Sequence, residues 1–374
     1  MPDMDYIKSA CRTVDEARAA LPRRFRDEPW IGFGKLGGIG DLMQVASFAR
    51  AVRRKYPAAP LCLVFKNLGE DADGRSLVEN VIGIGSGDPV VDVFTTLVTI
   101  PQVNWGWLMS ALQERFDIFF EVQYVVGGFY NRPADAGLAA RAEQALRRWL
   151  PFYLNFPSSS YHLGEWRMTQ FELMAKSSGF DVTEDDLAIA CAAHGLDLPA
   201  RYITVHVTSG GGCETKMAPR EWWETVVRSL KLSGWQIVQI GSKYESRVKG
   251  TVDARGTSIN GTAEILRGAF MHVGIEGGMA YLARAVGTPA AIIFGPTAPS
   301  VFGFEGNLNL SSGQCRPCWH HNVIWQRACR DGCVFCKNFP NITETMPAIR
   351  RFIARIEQAD ADLAESAEPL AAAV

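Results

Sequence analysis

The stretch Trp30-Ile31-Gly32-Phe33-Gly34-Lys35-Leu36-Gly37-Gly38-Ile39-Gly40-Asp41 sets the reading of the fold. A short apolar strand, Trp30 to Phe33, runs into a glycine-rich loop. Leu42, Val45, Ala46, Ala49 and Val52 then recur at helical spacing as far as Tyr56. Arg53, Arg54 and Lys55 place cations in the last turn, where the helix dipole favours them. Pro57 stops the helix, and Leu61 to Phe65 reads as the next strand. Strand, helix and strand joined by short links imply a parallel sheet.

Outward from that unit, Phe116 to Val122 and the neighbourhood of Val125 predict further strands. Helices are predicted around Trp107 to Glu114 and Ala139 to Leu150. A serine-rich loop at Pro157 to Glu165 precedes a helix, Trp166 to Ser177, that bridges two halves. From Arg201 the alternation restarts, with strands at Tyr202 to Val207, Trp235 to Ile240, Phe270 to Gly274 and Ala290 to Phe294. The intervening helices are Pro219 to Leu232, Ala263 to Arg267 and Met279 to Val286, and a last one spans about Pro347 to Gln358. That helix is expected to cross back to the first half, and the Ala/Glu-rich tail after Ala359 to fray. The predicted fold class is α/β, two Rossmann-like domains facing a cleft. Its parts are a helical extension (1–29), an acceptor-side domain (30–165), a nucleotide-sugar domain (166–346) and a C-terminal helix and tail (347–374).

Bulk properties exclude several classes. A length of 374 residues suits two domains, and 47% hydrophobic with 21% charged residues is a globular composition. The formal net charge of -2 gives no field for nucleic acid. The polar start, with Lys8, Arg12, Arg18, Arg23, Arg24 and Arg26, lacks the apolar core of a signal peptide and reads as an amphipathic helix. A cytoplasmic protein is expected. Those arginines are compatible with peripheral contact with a membrane. The loop at Gly37 is not G-x-G-x-x-G, and no acidic residue follows the second strand at Phe65-Lys66-Asn67, so no NAD is expected.

Asp41 has two open readings: a carboxylate at a helix N-terminus, or a general base facing the cleft. In the second half, Thr208-Ser209-Gly210-Gly211-Gly212 follows a strand and Lys216 precedes a helix. Hydroxyls, open amides and an ammonium are what a diphosphate requires. Glu245, after the strand end Gly241-Ser242, suits ribose hydroxyls. Gly274-Ile275-Glu276-Gly277-Gly278-Met279 repeats the strand, glycine turn and helix theme, and Gly295-Pro296-Thr297-Ala298-Pro299 closes the last strand with a hydroxyl and amides toward the cleft.

With these residues in place, the chain from Ile31 to Ile353 resembles the bacterial heptosyltransferases, family 9 of the glycosyltransferases. The likeness lies in Gly40-Asp41, Lys216 to Pro219 with Trp222, Gly241 with Glu245, Gly256-Thr257-Ser258, Gly274 to Ala283, Gly287 to Pro289 and Gly295 to Thr297. The resemblance implies a GT-B fold and inverting transfer of heptose from ADP-heptose. It implies Asp41 as the base, and Lys216 with Thr208 and Ser209 on the donor diphosphate. It further implies Glu245 on the ribose, and the turn from Glu276 through Gly277 and Gly278 to Tyr281 on the phosphates. Two positions depart from the family: Glu276 stands where aspartate is usual, and Tyr281 where histidine is usual.

Five of nine cysteines fall between Cys315 and Cys336. Cys315-Arg316-Pro317-Cys318 and Cys333-Val334-Phe335-Cys336 form two C-x-x-C knuckles with fourteen residues between them. That spacing suits a closed tetrahedral site for structural zinc or iron, with Cys329, His320 and His321 as substitute ligands and a redox disulfide as another reading. Cysteine-bound iron resembles the autotransporter heptosyltransferases, which glycosylate serines and assemble into large homo-oligomers. Only about thirty residues precede the first strand, so the extra N-terminal domain of that group is not expected. The readings carried forward are transfer to a protein hydroxyl, transfer to the lipopolysaccharide inner core, and a non-catalytic nucleotide-sugar-binding protein.

Overall fold

In the computed structural model the described residues are 2–25, 27–35, 37–66, 68–70, 76–83, 91–97, 105–122, 126–130, 168–209, 213–319, 327–329, 331–333 and 335–371. The N-terminal extension is helix α1 (Pro2–Ala19). Its residues Ile7, Ala10, Cys11 and Val14, spaced three and four apart, are buried against Leu108, Met109 and Leu112. Arg18 reaches Asp117 at 3.0 Å and Arg115 reaches Asp15 at 3.1 Å. The apolar stripe of α1 therefore faces the protein, Arg18 is held by a carboxylate, and Lys8, Arg12, Arg23 and Arg24 are exposed. No described helix is long and apolar enough to cross a membrane.

The opening motif forms β1 (Ile31–Lys35), buried at every position, and α2 (Ile39–Lys55), followed by β2 (Leu61–Lys66). Next come α3 (Leu77–Ile82), which starts at Ser76 and stops at Gly83 in the left-handed region, and β3 (Val93–Leu97). Helix α4 (Trp105–Gln113) precedes β4 (Ile118–Val122) and β5 (Val126–Tyr130). The strand order is β3-β2-β1-β4-β5, parallel except that β5 runs antiparallel to β4. Phe119 and Phe120 of β4 are core, whereas Trp107 of α4 is 60% exposed. The helix predicted at 139–150 and the serine-rich loop at 157–165 lie outside the described residues.

Helix α5 (Gln170–Ser178) opens with a capping box between Thr169 and Glu172 and ends at Gly179. It bridges as expected: Ser177 Oγ accepts from Val126 N–H at 2.9 Å, while Phe171 meets Phe304 of the second half at 6.4 Å between ring centroids. The second sheet contains β6 (Tyr202–His206), β7 (Gln236–Gln239), β8 (Val252–Asp253), β9 (Met271–Ile275), β10 (Ala290–Ile293) and β11 (Leu308–Leu310). The helices between them are α6 (Arg220–Leu232), α7 (Ile259–Arg267), α8 (Gly278–Ala285) and α9 (Pro299–Phe302). The order β11-β10-β9-β6-β7-β8 is all parallel, the doubly wound arrangement of dinucleotide-binding domains.

Helix α10 (Ile342–Ala371) corrects two expectations. It continues through the tail expected to fray, where Ala and Glu favour helix. Its described contacts also stay on the second half. Met346, Ile349, Phe352 and Ile353 pack with Trp223 and Val226, and Arg350 bonds Ser229 at 3.1 Å. Between the halves the core is continuous, since Leu42, Val45 and Phe48 share a cluster with Met279, Leu282 and Phe294. There α2 and α8 meet at two glycines: a Cβ on Gly278 would lie 2.9 Å from Ile39 Cβ and 3.3 Å from Gly40 N.

Candidate functional site

Open parallel sheets bind ligands beyond the carboxyl ends of their strands, where the connections diverge to opposite sides. In the first sheet that point lies between β1 and β4; in the second it lies between β6 and β9. The predicted site residues gather at these two points.

On the first half, Asp41 lies in the first turn of α2, and its Oδ2 accepts from Gly38 N–H at 2.9 Å. Its Oδ1 meets Lys35 Nζ at 3.2 Å, an ion pair in which the lysine side chain is 1% exposed and the aspartate 40%. Gly37, at φ +152°, is required where it stands: a Cβ would lie 2.1 Å from the Asp41 carboxyl group. Burial lowers the Lys35 pKa, and Asp41 and then Glu121 act against that shift. In this geometry Asp41 closes the helix end and keeps a partly exposed carboxylate edge.

On the second half, Lys216 ends the short 3-10 turn Glu214–Lys216 and ion-pairs with Glu276 Oε2. Thr297 Oγ1 donates to the same oxygen at 2.8 Å. Burial alone would lower the Lys216 pKa, but Glu276 and Cys213 outweigh it and the net direction is up, with Asp41 adding a smaller upward pull. Lys216, Glu276, Thr297 and Asp41 thus come from separate segments into one electrostatic neighbourhood. Helix α8 begins directly beside them at Gly277-Gly278, with no side-chain cap and no acidic residue in its first turn. Its first amides are the free donors that an anion needs.

Glu245 folds back under Gly241, which sits at φ +130° and whose Cβ would fall 2.5 Å from the carboxylate. Its Oε1 accepts from Ser242 N–H at 2.9 Å and lies 3.4 Å from His206 Nε2. Burial raises the Glu245 pKa, but His206, Thr208 and Ser242 overcome that and hold it below the usual value. Its Oε2 is buried without a described partner, an acceptor available to a hydroxyl. Ser209 adjoins Thr208, and Gly210 to Gly212 lie outside the described residues. Beneath His206, fully buried His272 contacts Thr204 Oγ1 at 3.0 Å and is pushed down to about 3 by burial and by His206, so it is neutral.

Tyr281 lies elsewhere than the predicted phosphate contact. It is buried, its hydroxyl is bonded to Gln44 of α2 and Gln170 of α5, and it seals the junction of the two halves and the bridging helix. Lys35, His206, Gln44 and Gln170 were not predicted by sequence. A lone lysine at the buried end of β1 is the one local signal for Lys35.

All five clustered cysteines are free thiols. Burial and then Cys336, Cys315 and Cys329 push Cys318 up to about 12, while burial, with Cys315, Cys329 and Cys333 adding to it, pushes Cys336 up to about 11. The thiols therefore lie within electrostatic reach of one another, although no group of three or more His, Cys, Asp or Glu among the described residues is set for a metal. His320 and His321 fall outside those residues. The segment is tied to the turns at Gly295–Thr297 and Glu214–Lys216: Cys318 N–H donates to Pro296 O at 2.8 Å, and a Cβ on Gly295 would touch both Thr215 O and the Phe339 ring.

Residues 166–326 match the family model described as glycosyltransferase family 9 (heptosyltransferase). The lipopolysaccharide heptosyltransferase 1 of Pseudomonas aeruginosa PAO1 is 28% identical over 124 residues, which is 30% of this chain and 35% of that protein. The match thus spans about a third of that relative's length. Two solved structures superpose over most of the chain. One is the dodecameric iron-containing heptosyltransferase TibC in complex with ADP-D-beta-D-heptose (TM-score 0.55, 15% identity, covering 89% of this chain and 78% of that one). The other is the family 9 glycosyltransferase of Veillonella parvula DSM 2008 (TM-score 0.55, 14% identity, 90% and 99%). The fold is GT-B.

Proposed function

We propose that this chain, a member of the family 9 glycosyltransferases, transfers heptose from ADP-heptose to an acceptor hydroxyl with inversion. One observation carries the reading: Asp41 of the first half and Lys216 of the second lie within electrostatic reach of one another, beside the place where the uncapped start of α8 packs on Ile39 and Gly40. Asp41 takes the proton of the acceptor hydroxyl as its oxygen bonds to the anomeric carbon. The bond from that carbon to the β-phosphate oxygen breaks, and its electron pair leaves with ADP. Lys216 and the α8 amides meet the charge that develops on the diphosphate. Glu245 Oε2 and its neighbours accept from the ribose hydroxyls.

Supporting a protein serine as acceptor is the cysteine cluster, which this chain shares in outline with the iron-bearing branch. The curated relative supports the second reading, the lipopolysaccharide inner core. The thiols of Cys315, Cys318, Cys333 and Cys336 are the candidates for structural iron or zinc: none is in a disulfide, and Cys315, Cys329 and Cys336 all bear on Cys318 electrostatically. Such an ion would cross-link the segment that backs the Pro296 and Lys216 turns, with no open position for substrate.

The test is direct. Protein incubated with ADP-heptose is offered a candidate exported protein and heptose-free lipopolysaccharide, and mass spectrometry reads the added heptose. Asp41→Ala is expected to lose transfer by ~10²–10⁴-fold while retaining the thermal shift given by ADP. Undiminished transfer in that variant would refute the base, and no shift with millimolar ADP would refute the donor site.

A further inference from the structure

Lys35 is the one nearly inaccessible ammonium at the end of β1 among the described residues. Its side chain is almost entirely removed from water. An ammonium there is unfavourable unless a carboxylate compensates it. Asp41 does so at 3.2 Å, and Glu121, opposite Gly34 on β4, contributes from the other side.

We propose that Lys35 is the positioning residue of the proposed base: its ammonium holds one Asp41 oxygen while Gly38 N–H holds the other, so the carboxylate is kept in one orientation. This rests on the reading of Asp41 as the base. Each oxygen keeps a lone pair for the acceptor hydroxyl, and the 40% exposed edge of Asp41 is the only side open to it. A lysine whose role was only to anchor the loop would not need to reach the carboxylate. Other charged or titratable groups facing Asp41 are Lys216 from the 3-10 turn and the Tyr281 phenol from α8, and both are kept in the test.

The experiment compares wild type with K35M and K35R, in protein carrying ¹³C at aspartate carboxyls. The Asp41 signal is identified by its absence in D41N. Loss of a neighbouring cation disfavours the carboxylate, so the K35M titration midpoint is expected to rise by roughly one unit. K35R is expected to titrate near wild type. ADP release from ADP-heptose, with water or heptose-free lipopolysaccharide as acceptor, should fall about 10-fold or more in K35M at unchanged donor KM, with partial rescue in K35R. Melting temperature and ADP affinity check folding, and K35Q takes the place of K35M should the methionine variant not fold. A folded K35M or K35Q that titrates like wild type overturns the proposal. If D41N keeps its ADP release, the base reading fails instead, and the two failures are separable.

Discussion

The two helix ends that meet in the cleft are finished in opposite ways. Helix α2 is closed by its own Asp41, which takes the Gly38 amide and is in turn held by Lys35. Helix α8 starts on Gly277 with no side-chain cap, and its nearest side chains are the Lys216–Glu276 pair and Thr297. Each end carries a lysine–carboxylate pair, but at the first the carboxylate itself occupies the helix start, whereas at the second the helix start has no side-chain cap. The contrast supports the proposed division, diphosphate on the α8 side and proton chemistry on the α2 side, across a contact that is closest at Gly40 and Gly278.

The strongest challenge to that assignment is Lys216→Met. Turnover of ADP-heptose should fall by ~10²–10³-fold, as for loss of one donor to a developing anion, and the thermal shift given by ADP should shrink. Wild-type ADP affinity in this variant would move the diphosphate away from α8. A smaller effect should follow replacement of Cys318 by Ser or treatment with chelator. Because Cys318 and Trp319 amides grip Pro296, loosening the segment should weaken ADP binding while the α2 end is untouched. Metal analysis of the same samples should show the metal content fall, and unchanged content would remove Cys318 from the ligands. Gly278→Ala probes the contact itself. Its new methyl meets Ile39 and the Gly40 backbone, so chemical denaturation should show a loss of about 1–3 kcal/mol. A neutral result would mean that the two helices separate more easily than their packing suggests.

Local pattern made much of this legible. The β1–α2 unit follows from an apolar strand, a glycine loop and a 3.6-residue period, and the second half repeats that logic with glycine turns at Gly274 and Gly295. Asp41, Lys216, Glu245 and Glu276 lie in the connections that follow β1, β6, β7 and β9, on the carboxyl side of the strands. Short edge strands such as β8 and β11 were not legible, because two or three residues carry too little periodicity. Tyr281 shows the limit most clearly. Its place in the second glycine turn suggested phosphate contact, yet one helical turn further on its side chain points at α2 and α5 instead.

Sequence alone was sufficient for the two βα arrays and their glycine turns, since each depends on spacing over a few residues. Only the packed chain decides that Lys35 belongs to Asp41, that Thr297 and Lys216 share one oxygen of Glu276, and that α10 stays on the second half. Those pairings join residues six to more than a hundred positions apart through burial and charge compensation, and no periodicity in a linear chain encodes which buried cation will find which carboxylate.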